Sequence, residues 1–148
     1  TNDAPSSITR LQNMGTPDYL ISAAVSLILA QRLARKTCPN CRVPDEDITP
    51  KALADFGFTV EQASRAKVQK GEGCNQCKDS GYKGRMGIYE ILSVSKPIKE
   101  AILRKATTPE LKEIAMKEGF RTMQDMGREL ILTGDLNFRE FDRVLSSE

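Results

Sequence analysis

The spacing of apolar residues changes along the chain, and each change marks an element. Ile8, Leu11 and Met14 recur every third residue behind Asp3, Pro5 and Ser6. This predicts a short helix capped by Asp3 or Ser6, with Pro5 near its start and Gly15 as its stop. Thr16-Pro17 opens a second helix, whose Leu20, Ile21, Ala24 and Leu27 lie along one stripe. Residues 28–36 fit two structures. Leu29 and Leu33 suit a helix. Read as a strand, Ile28, Ala30, Arg32 and Ala34 share one face and Leu29, Gln31, Leu33 and Arg35 the other, and periodicity does not choose.

Further on, Thr49 and Thr59 cap short helices over 50–56 and 60–66, with Gly57 stopping the first. Over 85–94, Met86, Ile88, Glu90 and Leu92 alternate with Gly87, Tyr89 and Ile91, a strand pattern. The rest reads as helical. Ser95 caps 97–104, Thr108 caps 109–117 with Gly119 closing it, Thr122 starts a segment ending before Gly134, and Asn137-Phe138-Arg139-Glu140 resembles a capping box. Ile98, Ile102, Leu111, Ile114, Met123, Leu130, Ile131, Phe138, Phe141 and Leu145 are the expected helical core.

Four cysteines stand out against this pattern: Cys38-Pro39-Asn40-Cys41 and Cys74-Asn75-Gln76-Cys77. Each pair offers two thiolates from one tight turn, and two facing pairs complete a tetrahedral site, with zinc as the expected ion. Four protein ligands fill the coordination shell, so the metal would hold structure and would not activate water. The same residues could instead form two disulfides, hold iron in tetrahedral sulfur, or act as a redox pair, although a redox motif should open a helix in a βαβ unit. Gly71, Gly73, Gly81, Gly84 and Gly87 crowd the second pair. Tight turning near the metal explains them; phosphate cradling is the rival, but the sequence has no GxxxxGK[ST] segment.

Composition narrows the function classes. The 148 residues carry 22 Lys plus Arg against 20 Asp plus Glu, a net charge of +2, too weak to argue for nucleic acid by itself. Trp is absent and aromatics are 5%, so no base-stacking platform stands out. The apolar stretch over 19–30 is interrupted by Ser22 and Ser26 and is too short to span a bilayer, so no direct membrane insertion is expected. With no histidine, Ser–His and Cys–His nucleophile pairs cannot form. Arg35, Lys36, Arg42, Lys78, Lys83 and Arg85 flank the cysteines. They would favour a stand-alone zinc-binding interaction module, with nucleic acid as a partner, unless they simply offset the negative charge of a four-thiolate site, the preferred account.

An ordered set of segments brings in a family. Thr1-Asn2-Asp3-Ala4-Pro5, Ile8-Thr9-Arg10-Leu11 and Met14-Gly15 come first. Ala30-Gln31-Arg32-Leu33-Ala34-Arg35 runs into the first CxxC, and Gly73 with the second CxxC precedes Gly81-Tyr82-Lys83-Gly84-Arg85-Met86-Gly87-Ile88-Tyr89-Glu90. Together they resemble the C-terminal part of the type II secretion and type IV pilus assembly ATPases (the GspE/PilB family). The Asn-Asp-Ala-Pro-Ser-Ser opening leans toward the pilus extension ATPases. The resemblance covers the whole chain, most strongly over 1–42 and 71–94.

The resemblance implies an α/β fold with an α+β extension: residues 1–37 as the tail of a RecA-like ATPase core, 38–85 as a tetracysteine zinc module, and 86–148 as a C-terminal, mainly helical subdomain. It implies a homo-hexameric motor, binding ATP and Mg2+, at the cytoplasmic face of the bacterial inner membrane, acting on an integral platform protein to drive pilus assembly or type II secretion. Under it, 28–36 becomes mainly a strand, and Thr1 and Asn2 are what remains of a histidine box. The chain is then expected to be a piece of a longer protein. The phosphate loop, Walker B carboxylate and acidic box of the family would lie upstream, so the chain alone carries no catalytic residues and is not expected to hydrolyse ATP. Arg32 is the candidate to face nucleotide or a neighbouring subunit, because an arginine fork suits phosphate or carboxylate. Arg10 is a second candidate, and a plain surface ion pair is the alternative for both.

Overall fold

The computed structural model describes residues 3–145. The element order is α1 (Ala4–Asn13), α2 (Asp18–Ala24), β1 (Leu27–Thr37), β2 (Arg42–Pro44), α3 (Pro50–Asp55), α4 (Val60–Arg65), β3 (Gln69–Gly71), β4 (Tyr82–Ser93), α5 (Lys96–Leu103), α6 (Thr108–Lys117), α7 (Met123–Thr133) and α8 (Phe138–Leu145). β1 and β4 pair in one two-stranded sheet, β2 and β3 in another. The fold is therefore mixed α/β, as expected. The Thr1-Asn2 reading lies outside the described residues.

Local chemistry sets most boundaries. The Asp3 carboxylate accepts the Ser6 N–H at 2.7 Å and caps α1. Thr49 caps α3, and Thr59 with Gln62 forms a full capping box on α4. The ambiguous stretch is a strand: in β1 the side chains of Ile28, Ala30, Arg32 and Ala34 are the more buried set, while Leu27, Leu29, Leu33 and Arg35 face out. Three expectations are corrected. The second helix ends at Ala24, and Leu27 belongs to β1 instead of the helical stripe. The cap of α6 is Thr107, whose hydroxyl accepts the Glu110 N–H, one residue earlier than expected. Ser95 occupies the N-cap of α5 but turns its hydroxyl to the Glu118 carboxylate at 2.7 Å, so it makes no side-chain cap.

The chain divides into two compact units, and the expected helical core divides with it. One unit contains 1–31 and 89–123. Its core joins Ala4 and Ile8 of α1, Ile21 of α2, Leu92 and Val94, Ile98, Ala101 and Ile102 of α5, and Leu111 and Ala115 of α6. A carboxylate sits inside this unit. Glu90, on the same strand face as Leu92, is buried and accepts the backbone N–H of Ala4 and, at 3.0 Å, that of Met123. It thereby satisfies one orphan donor at the start of α1 and one at the start of α7.

The other unit contains 32–88 and 124–148. Leu53, Phe58, Ala63 and Val68 are buried between and beside α3 and α4. Phe56 meets Phe138 edge-on, with centroids 4.4 Å apart, and Phe141 at 6.2 Å. Gly127 lets α7 approach α8, since a Cβ there would stand 2.5 Å from Leu145 Cδ1 and 2.7 Å from Phe141 Cε2. α8 is tied to β1 through Glu140. The Asn137 Oδ1 accepts the Glu140 N–H at 2.7 Å, so half of the expected capping box forms. The other half does not, because the Glu140 carboxylate is fully buried and committed to Arg35 and Arg143.

Candidate metal centre

The two CxxC turns occupy the strand junctions of the second unit. Cys38 follows the last residue of β1, and Cys41 precedes β2; Cys74 follows β3, and Cys77 precedes β4. β2 and β3 run antiparallel, with Arg42 opposite Gly71, Val43 opposite Lys70 and Pro44 opposite Gln69, which sets the turns side by side. Two backbone bonds lock them: Cys38 N–H to Gly81 C=O at 2.9 Å and Glu72 N–H to Cys41 C=O at 3.2 Å. Gly71 and Gly81 allow this approach. A Cβ on Gly71 would lie 2.1 Å from the Gly81 carbonyl oxygen, and Gly81 has φ +81°. Tight turning, the first account of these glycines, holds at Gly81, whereas Gly71 stands in β3 and serves the close approach of the two backbones.

The four Sγ atoms all lie within 4.8 Å of one another. Cys38 and Cys74 are 3.8 Å apart, Cys41 and Cys77 3.8 Å, and Cys74 and Cys77 3.6 Å. A disulfide needs about 2.05 Å, and all four are free thiols. A tetrahedron with metal–sulfur bonds of about 2.3 Å has an edge of about 3.8 Å. Three of the six sulfur separations match that edge, so the four thiols could hold one metal ion, and iron and zinc share that geometry.

Backbone donors complete the fit. The Gly73 N–H points to Cys41 Sγ at 3.3 Å, the Cys74 N–H to Cys77 Sγ at 3.2 Å, and the Gly81 N–H to Cys77 Sγ at 3.3 Å. Such donors favour the thiolate over the thiol. Desolvation is the largest influence on Cys77 and opposes ionisation, yet the Gly81 and Cys74 N–H groups and the neighbouring sulfurs bring it down to about 6. Cys74 is also lowered, chiefly by a hydrogen bond from Asn40. Cys41 is pushed up to about 12 by desolvation, against the Gly73 N–H, and by its sulfur neighbours. Binding one divalent cation through all four sulfurs would require their deprotonation.

The flanking cations do not all serve the sulfurs. Arg42 reaches Asp135 Oδ1 at 3.2 Å and the Thr37 carbonyl at 3.5 Å. Arg35 is engaged by Glu140. Of the two candidate arginines, Arg32 donates from Nη1 to the Val144 carbonyl at 2.6 Å, near the end of α8. Arg10 is exposed on α1. Sequence reasoning passed over the buried Glu90 and Glu140 as functional positions; strand alternation put Glu90 on the apolar face beside Ile88 and Leu92, the one available signal. Among the described residues, no helix is long and apolar enough to cross a membrane.

Paired cysteine turns at the strand junctions of a mixed α/β chain bring together four thiols that could hold one metal ion. This chain belongs to the Type II/IV secretion system protein family, whose model matches residues 1–143. It is 39% identical over 143 residues to the type IV pilus assembly ATPase PilB of Thermus thermophilus, an alignment covering 95% of this chain and 16% of the relative. PilB of Myxococcus xanthus is 37% identical over 140 residues, covering 95% of this chain and 25% of the relative. Type II secretion system protein E of Aeromonas hydrophila is 34% identical over 144 residues, covering 97% and 28%. The chain spans between 16% and 29% of the length of these and similar curated relatives.

Proposed function

We propose that this chain is the C-terminal part of a hexameric motor ATPase that powers type IV pilus assembly or type II secretion, and that it carries one structural zinc ion. In this reading residues 1–37 are the tail of a RecA-like core, 38–85 the zinc module and 86–148 the helical subdomain. ATP and Mg2+ bind the core of the whole protein, which works at the cytoplasmic face of the inner membrane on an integral platform protein. The names of the relatives support the motor, and the four clustered sulfurs support the zinc.

Cys38, Cys41, Cys74 and Cys77 would hold the ion, whose contribution is to join the strand junctions. The loop between the pairs is 32 residues long and has a small apolar inventory: Leu53, Phe56, Phe58, Val60 and Val68. Burial alone stabilises so small a segment weakly, and ligation at both ends adds favourable folding free energy. In the ring, Arg32 faces nucleotide or a neighbouring subunit, with Arg10 as the second candidate; the Val144 bond gives Arg32 a structural task as well.

The test is Cys74→Ser in the whole protein. It should abolish surface pili or exoprotein release while ATP turnover by the purified enzyme stays within several-fold of normal. Undisturbed assembly and secretion would refute the coupling role.

A further inference from the structure

Away from the sulfurs, the second unit has a shallow hollow of about 520 Å³ that includes Leu33, Arg35, Ser80, Tyr82, Arg85 and Arg143 in its lining. Three arginines line it, and no acidic residue does. The counter-charge of two of them, Arg35 and Arg143, is the fully buried Glu140. Arg35 gives it a backbone N–H at 2.6 Å and its side-chain Nη2 at 2.9 Å; Arg143 gives Nε at 2.7 Å and Nη2 at 2.8 Å. The Arg35 guanidinium also lies 4.0 Å from the centroid of the Tyr82 ring. Both arginines are nevertheless about half-exposed, at 45% and 56%.

This arrangement has two consequences. A guanidinium carries five N–H donors in a planar fork. Glu140 takes the Nε and Nη2 sides of Arg35 and Arg143, while Nη1 of each makes no hydrogen bond among the described residues, and both arginines line the hollow. The fork and the tyrosine ring hold these groups in place, so a ligand need not order them. The Arg85 side chain makes no hydrogen bond or ion pair among the described residues. Three guanidiniums against one carboxylate leave a local charge of about +2, which matches a phosphate group at about −1.5 to −2 and exceeds a single carboxylate.

We propose that this hollow is an oxyanion site for a phosphate group, bound by Arg85 together with the free edges of Arg35 and Arg143. Arginine forks match phosphate oxygens in pairs. The phosphate could belong to a soluble phosphate compound or to an acidic lipid headgroup, and the same residues would bind either. Because the site is open, binding weakens as salt rises.

The test follows the arginine Nε–Hε NMR signals of the zinc-loaded chain during titration with inorganic pyrophosphate at low ionic strength. Succinate at matched ionic strength is the comparison. The expected result is saturable movement of the Arg35, Arg85 and Arg143 signals with pyrophosphate and at least about tenfold weaker response to succinate. Arg85→Gln should lower pyrophosphate affinity about tenfold and Arg85→Lys should restore part of it. Lys112→Gln, an equal charge loss on exposed α6, should change it less than about twofold. A second arm measures sedimentation with phosphatidylglycerol vesicles against phosphatidylcholine vesicles. Vesicle binding lost in Arg85→Gln assigns the phosphate to a lipid headgroup; pyrophosphate binding without vesicle binding assigns it to a soluble compound. The proposal is overturned if pyrophosphate gives no saturable change, if succinate binds equally well, or if Lys112→Gln weakens binding as much as Arg85→Gln.

Discussion

Replacing Glu140 by Gln keeps the size and one acceptor oxygen but removes the charge from beneath Arg35 and Arg143. Desolvation acts most strongly on this carboxylate and opposes its ionisation, yet the forks of Arg143 and Arg35 and the Arg35 backbone N–H hold its pKa at about 2, against an ordinary 4.5. At about 1.4 kcal/mol per tenfold, that gap corresponds to about 3 kcal/mol of stability. The carboxylate is fully buried, so the conversion applies to it; the half-exposed arginines regain water when it is lost, so about 2–3 kcal/mol is the expected cost. The sign follows from the depressed pKa. The stabilisation is complete above pH 4.5 and disappears as pH falls through about 2. Urea unfolding of the natural chain and of Glu140→Gln, followed by a probe in α8 from pH 7 downward, measures this as a difference. The two stabilities should differ by about 2–3 kcal/mol at pH 7 and converge between pH 4.5 and 2. A gap that keeps its size across that window would show that packing, not charge, carries the effect.

Three further outcomes follow from the same geometry. Glu90→Ala strips partners from the buried Ala4 and Met123 N–H groups and should cost about 3 kcal/mol, with both amides exchanging hydrogen faster than their helical neighbours. Gly71→Ala drives a Cβ against the Gly81 carbonyl and should lower stability by about 2–3 kcal/mol, read by chemical unfolding of the zinc-loaded chain. Arg32→Ala in the whole protein should lower ATP turnover more than it lowers thermal stability; unchanged turnover would leave Arg32 only its bond to Val144.

Much of this was legible from local chemistry. Capping by Asp3, Thr49 and Thr59 needs only a few adjacent residues, and each CxxC turn is legible by itself, its repeat in the chain being the signal that the two meet. The 28–36 stretch was not legible by period, because Leu29 and Leu33 satisfy a helical spacing while standing on the exposed face of β1. β2 and β3 are three residues each and are defined by pairing with one another, a long-range event with no local signature. Buried carboxylates are harder still. Glu140 occupied the right position for a capping box, but Arg35, distant in sequence and close in space, competes for its oxygens and wins with two charge-assisted contacts. The same applies to Ser95, drawn from its cap by Glu118.

The most direct measurement is a titration of the purified chain with an organomercurial in the presence of a zinc-sensitive dye. The account predicts that one zinc ion leaves per chain and that its release is complete when the thiols of Cys38, Cys41, Cys74 and Cys77 have all reacted. Thiols that react with no zinc released, or cysteines that react only after reduction, would contradict it, because packing or disulfides would then be holding the two turns together.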